Sequence, residues 1–188
     1  MIVSYQGAGA FKISQGDLTL ALNPETKVSA DVTLFTTGRS ETAEKSGFII
    51  DGPGEYEIKG IFIKGFLSKG LSERINTIYL ITFEGMKLCF LGALADPALS
   101  VETLEAIEDI DILFTPVGKS TLDPASAYKL AVSLEPSVII PMYYDKQSLD
   151  MFIKEGGSKN GVESLDKLVV KKKDLEGKEA EILVLKEE

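Results

Sequence analysis

Arg39 and Glu41 stand two residues apart in the run Thr36-Thr37-Gly38-Arg39-Ser40-Glu41-Thr42. A guanidinium beside a carboxylate can pair internally in a solvated loop, or it can hold an anionic ligand through planar, charge-assisted hydrogen bonds. Both readings stay open from sequence. The other reactive side chains are more constrained. Ser40 and Ser68 could act as nucleophiles only beside a base, and the 188-residue chain has no histidine. Cys89, the one cysteine, lies among Leu88, Phe90 and Leu91, which predicts an inert core thiol. Glu55 and Glu57 project from one face of an expected strand around Tyr56, where paired carboxylates could serve acid–base work or simply face water. Asp96 is a potential oxygen ligand or a local cap, and Tyr143 and Tyr144 could stack on a ligand or fill volume. Gly52-Pro53-Gly54 lacks the Lys-Ser/Thr and helix that a phosphate loop requires, and reads as a turn.

The elements that must position these groups alternate in character along the chain. Phe11 and Ile13, then Leu18, Leu20 and Leu22, show the period of two expected of half-buried strands, with Gly16-Asp17 as the turn between them. Strands are expected at 32–35, 48–50 and 56–66, the last broken at Lys59-Gly60, and a hairpin joins 75–83 to 87–91 across Glu84-Gly85. Helix and strand then interleave. Ser100 is expected to cap a short helix to Ile107, Asp123-Pro124 to start another with Ala127, Leu130, Ala131 and Leu134 inward, and Ser148 to begin a third that runs to Lys154 and is stopped by Gly156-Gly157. Strands are expected at 110–115 and 138–140, and two more near Leu168 and Ile182.

Composition narrows the partners. A formal net charge of −9 repels polyanions, so nucleic acid is not expected. Lys171-Lys172-Lys173 is followed by Asp174 and Glu176 and reads as a solvated turn. No apolar run approaches the ~20 residues that span a bilayer. No membrane association is expected. With a lone cysteine and no leader-like N-terminus, the expected location is cytoplasmic. Without a repeat or linker, residues 1–188 read as one domain.

Several spaced segments together resemble the metallo-β-lactamase superfamily, in particular its small bacterial zinc-dependent hydrolase and lactonase-like branch. They are Tyr5-Gln6-Gly7, Asn23-Pro24, Ala30-Asp31, Asp51-Gly52-Pro53-Gly54-Glu55-Tyr56-Glu57, Leu91-Gly92, Asp111-Ile112-Leu113 with Pro116-Val117-Gly118, and Ile140-Pro141-Met142. The resemblance implies an α+β fold, a four-layer αββα sandwich, with a zinc site where loops of both sheets meet. It also implies where ligands should stand. The His-x-His-x-Asp-His loop of the family matches Thr37, Arg39, Glu41 and Thr42; its next histidine matches Ser68, its bridging aspartate Ala93 and its last histidine Tyr143.

Only Glu41 in that set remains a strong metal ligand, and Arg39 adds a fixed positive charge where a dication would sit. The sequence therefore predicts a metal-free, non-catalytic member of the fold, without cofactor or catalytic residues. It would act by binding a small anionic ligand or a protein partner, and Leu168–Val170 and Ala180–Leu185 could support a homo-oligomer. The alternative is a hydrolase with a relocated site, in which Glu41, Asp96 and Asp145 hold manganese or magnesium.

Overall fold

The computed structural model describes residues 1–38, 47–71, 74–118, 120–157 and 162–188. Its strands are β1 (Ile2–Tyr5), β2 (Phe11–Gln15), β3 (Leu18–Leu22), β4 (Val32–Leu34), β5 (Phe48–Ile50), β6 (Gly54–Ile58), β7 (Ile61–Lys69), β8 (Ile75–Phe83) and β9 (Met86–Phe90). Helix and strand then alternate: α1 (Val101–Ala106), β10 (Ile112–Pro116), α2 (Pro124–Ser133), β11 (Val138–Met142) and α3 (Lys146–Glu155). Short strands follow, β12 (Ser164–Leu165), β13 (Leu168–Val169), β14 (Glu181–Ile182) and β15 (Val184–Leu185).

Two mixed sheets result. The first has the order β13-β1-β2-β3-β4-β5, antiparallel from β13 to β3 and parallel from β3 to β5. In the second, β14-β11-β10-β9-β8-β7-β6, the strands are parallel from β14 to β9 and antiparallel beyond. Alternation along β8 explains why this sheet is covered twice. Tyr79, Ile81 and Phe83 enter one core, with Val3, Phe11, Leu20 and Phe114, while Ile78 enters the other, with Leu113, Ala127, Ala131 and Phe152 from beneath the helices. Strands β10 and β11 are buried along their whole length, so they carry continuous apolar runs rather than alternating ones. Phe11, Phe90 and Phe114 lock the first core in edge-to-face contacts, with ring centroids 4.8 to 6.3 Å apart. This is an α+β fold of mixed sheets flanked by helices, the αββα sandwich expected from the sequence.

The predicted hairpins and two of the three helix starts are in place. Ser100 and Asp123 accept from the backbone N–H groups of Thr103 and Ser126. The third helix differs. It begins at Lys146, because Asp145 caps it: its carboxylate accepts from Ser148 N at 2.7 Å while Ser148 Oγ accepts from Asp145 N at 3.0 Å. Lys172 lies in the exposed turn expected there. Its ammonium sits 2.6 Å from both carboxylate oxygens of Asp111, which is buried and also accepts from Lys87 N at 2.7 Å. That contact ties the C-terminal segment to the start of β10. Among the described residues no helix is long and apolar enough to cross a membrane.

Candidate functional site

Three neighbouring loop and strand ends build the edge where the two sheets meet: the end of β3, the end of β4, and the strand ends on the facing sheet. Asn23 follows β3 in a left-handed conformation, φ 43°, which asparagine tolerates better than most residues. Its Oδ1 accepts from Thr36 N at 2.9 Å, and its Nδ2 donates to Thr36 Oγ1 at 3.0 Å and to the Tyr143 hydroxyl at 3.3 Å. Thr36 is 1% exposed, whereas Thr37, expected in the site, is exposed beside it.

Tyr143 follows β11 with φ 59°, a left-handed backbone that costs a bulky residue about 1–2 kcal/mol. Its own N–H donates to Ala8 O at 2.7 Å, which helps hold it there. The ring lies over Gly9 so closely that a Cβ at position 9 would come within 2.2 Å of Tyr143 Cζ. Burial holds the Tyr143 phenol above its ordinary pKa. It therefore stays protonated near neutral pH, with its ring over Gly9 and its hydroxyl accepting from Asn23.

A second knot centres on Asn76, fully buried in β8. Its Nδ2 donates to Ser68 Oγ at 2.8 Å and to Leu91 O at 2.9 Å, and its Oδ1 accepts from Ala93 N at 2.9 Å. Ser68 Oγ in turn donates to Asn76 O at 3.1 Å. Three strong bonds satisfy the amide, which is what a buried amide needs to avoid a desolvation penalty. Gly92, at φ 62°, joins the knots: a Cβ there would lie 2.5 Å from Asn76 Oδ1 and 2.7 Å from Thr36 Cβ. Thr77 N donates to Thr36 O at 2.8 Å, and the Tyr79 hydroxyl to Phe35 O at 2.9 Å, which closes the junction between the sheets.

Ser68, Ala93 and Tyr143 thus converge on one hydrogen-bonded edge, and Asn23 and Asn76 organise it. Neither asparagine was identified as a site residue from sequence. Asn23 was visible only as part of Asn23-Pro24 at a strand end, and Asn76 lies in an apolar strand without a local marker. Asp96 does not join the edge. Its Oδ1 accepts from Ala98 N at 2.9 Å and its Oδ2 lies 4.0 Å from Lys69 Nζ. Asp145 is committed to capping α3. Arg39, Ser40, Glu41 and Thr42 lie outside the described residues. Cys89 is fully buried and desolvation pushes its thiol pKa far up, so it is an inert core residue. Glu55 faces solvent and pairs with Lys64 at 2.9 Å, while Tyr56 between the two glutamates packs inward.

The described residues of this edge do not by themselves make a zinc site. Ser68, Ala93 and Tyr143 offer neutral hydroxyls and a methyl, the Asn23 amide is engaged by Thr36 and Tyr143 and the Asn76 amide by Ser68, Leu91 and Ala93, and neutral hydroxyls are weak zinc ligands. Among the described residues no group of three histidine, cysteine, aspartate or glutamate side chains is arranged to hold a metal.

The chain is similar to a family model and to several proteins of known structure. Residues 2–143 match the family model described as Beta-lactamase superfamily domain. A Thermotoga maritima protein assigned to the Zn-dependent hydrolases of the metallo-β-lactamase superfamily is 26% identical, with a TM-score of 0.81 over 98% of this chain and 97% of that one. A metallo hydrolase from the archaeon Ignicoccus hospitalis is 15% identical, with a TM-score of 0.64 over 90% and 99% of the two chains. A protein from Parabacteroides distasonis assigned as a metal-dependent hydrolase is also 15% identical, with a TM-score of 0.66 over 97% and 91%. At 15% identity the likeness carries the fold alone. With three-quarters of its length under the family model and the same two-sheet frame, the chain belongs to the metallo-β-lactamase superfamily, and the absence of a three-ligand cluster among its described residues is consistent with a degenerate member.

Proposed function

We propose that this protein is a metal-free, non-catalytic member of its superfamily that works by binding, with residues 1–188 acting as one unit in the cytoplasm. The observation that carries the reading is the pair of asparagine knots at the sheet edge. Asn23, Thr36 and Tyr143 on one side, and Ser68, Asn76 and Ala93 on the other, use their polar groups to satisfy each other. A metallohydrolase needs the reverse: about three strong ligands held open toward an ion and a water. Arg39 supports the same reading from sequence, as a fixed cation in the loop that should carry imidazoles. What the protein binds is a small anionic ligand or a protein partner, and it does so singly or as a homo-oligomer.

The test is thermal unfolding of protein purified without chelator, alone, with excess EDTA, and with zinc or manganese. An ion that binds only the native state raises stability by RT ln(1 + [L]/Kd), so about 2.7 kcal/mol at a hundredfold excess over Kd. The expected result is one Tm in all conditions. A Tm that falls with EDTA and returns with zinc or manganese contradicts the reading and restores the relocated-site hydrolase.

A further inference from the structure

Beside the locked edge, on the far side of Ser68, the end of β7, the start of β8 and the segment leading into α1 enclose a cleft of about 510 Å³. Its size is in the range of small-molecule sites. The walls are apolar: Leu67, Ile75, Ile78 and Leu99. Two of these are unusually costly to leave in water, since Leu67 is 61% exposed and Ile75 65% exposed. The hydroxyls at the cleft are already engaged. Ser68 is held by Asn76, and Ser100 Oγ pairs with Thr103 Oγ1 at 2.7 Å.

The charges are not balanced in the same way. Arg74, Lys69 and Asp96 line the cleft. Asp96 is loosely associated with Lys69 at 4.0 Å and spends Oδ1 on Ala98 N. Among the described residues no carboxylate lies within salt-bridge reach of the Arg74 guanidinium. Arginine occurs only at positions 39 and 74 of the sequence, so every other basic residue is lysine. A guanidinium presents its donors as a planar fork matched to a carboxylate, which a lysine cannot do. A fork that no described carboxylate pairs, at an apolar cleft on a chain of net charge −9, defines an unusual chemistry: one anionic head group and an apolar body.

We infer that this cleft binds a small amphiphilic monocarboxylate, its carboxylate on Arg74 and its hydrocarbon part on Leu67, Ile75, Ile78 and Leu99. The inference rests on the reading that the protein acts by binding, and it specifies both the place and the ligand class. It leaves the asparagine knots intact, because Ser68 is their only member that lines the cleft.

Titration calorimetry with decanoate, decanol and acetate tests it, using the wild type, Arg74→Gln and Ile75→Glu. Both substituted side chains are exposed, so the fold should tolerate them. Decanoate is expected to bind the wild type at one site and to lose about tenfold in affinity in Arg74→Gln, the equivalent of one charge-assisted bond. Ile75→Glu should abolish the binding, and acetate should give no signal. Decanoate affinity unchanged in Arg74→Gln, equal affinity for decanol, or no decanoate binding at millimolar concentration each overturn the inference. These outcomes are independent of the metal melts: a failed decanoate titration with a metal-insensitive Tm removes the ligand class alone, and a zinc-dependent Tm removes the metal-free reading alone.

Discussion

Tyr143 shows how a single residue can close a site. Its ring occupies the space over Gly9, its hydroxyl accepts from Asn23, and its backbone tolerates a left-handed conformation to do so. Gly9 and Tyr143 should therefore be coupled energetically. Gly9→Ala forces a methyl into the ring and is expected to cost about 1–3 kcal/mol, as overpacking does. Tyr143→Ala is expected to cost roughly 2–4 kcal/mol by opening a cavity. In the Tyr143→Ala background the same alanine has room, so the double variant should be more stable than the sum by about 1 kcal/mol or more. Denaturant unfolding of the four proteins measures this. Strictly additive costs would show that the ring does not occupy that space in solution. The replacement at position 143 was legible from sequence as either stacking or filling, and what decided between them was invisible there. Gly9 is 134 positions away and becomes relevant only when the sheets close. Asn76 was hidden for the same reason, since its partners Leu91 and Ala93 come from beyond another strand.

Elements with local signals were read well, and those defined by distant pairing were not. The hairpin at Gly16-Asp17, the cap at Ser100 and the Asp123-Pro124 helix start depend on neighbours within a few residues, and each is present. Strand β12 is two residues long and pairs with β15, inside the expected Ala180–Leu185 strand; it is too short for any periodicity to reveal. The α3 start was displaced because Ser148 looks like a cap but serves as the third helical residue under Asp145. Element ends also set the response to acid. A hydrogen bond from Lys59 and another from Thr19 N hold the Asp31 carboxyl below its ordinary value of 3.8, and the Ser126 side chain and N–H do the same for Asp123. Depressed folded values mean that both groups bind protons more readily when unfolded. Their stabilisation is complete above the ordinary aspartate value and is lost as pH falls through the folded values below it. Urea midpoints should therefore be flat from pH 8 to about 5.5, where a chain without histidine has no side chain of ordinary pKa, and should fall below about pH 4. Asp31→Asn and Asp123→Asn should each lower the midpoint at pH 7 and make the drop below pH 4 shallower. An unchanged drop in both variants would place the acid sensitivity elsewhere.

The molecule as a whole keeps its superfamily's frame. Two mixed sheets, the doubly covered second sheet and the loop-built edge between them match a Thermotoga maritima relative over nearly the full length of both chains. At that edge hydroxyls, amides and a phenol satisfy each other, and the nearby cleft carries an arginine that no described carboxylate pairs, beside apolar walls. Sequence resemblance identified the frame because Gly, Pro and Asp landmarks fix turns wherever the fold recurs. Function was less legible, since the absence of histidine says which ligands the sequence lacks and leaves open what the protein does. The most direct measurement is native mass spectrometry of untagged protein purified without chelator, before and after adding zinc and manganese. The expected spectrum shows the bare chain or its multiples, with no mass added by either metal. A stoichiometric metal ion that survives desalting would contradict the metal-free reading and return the protein to the hydrolases it resembles.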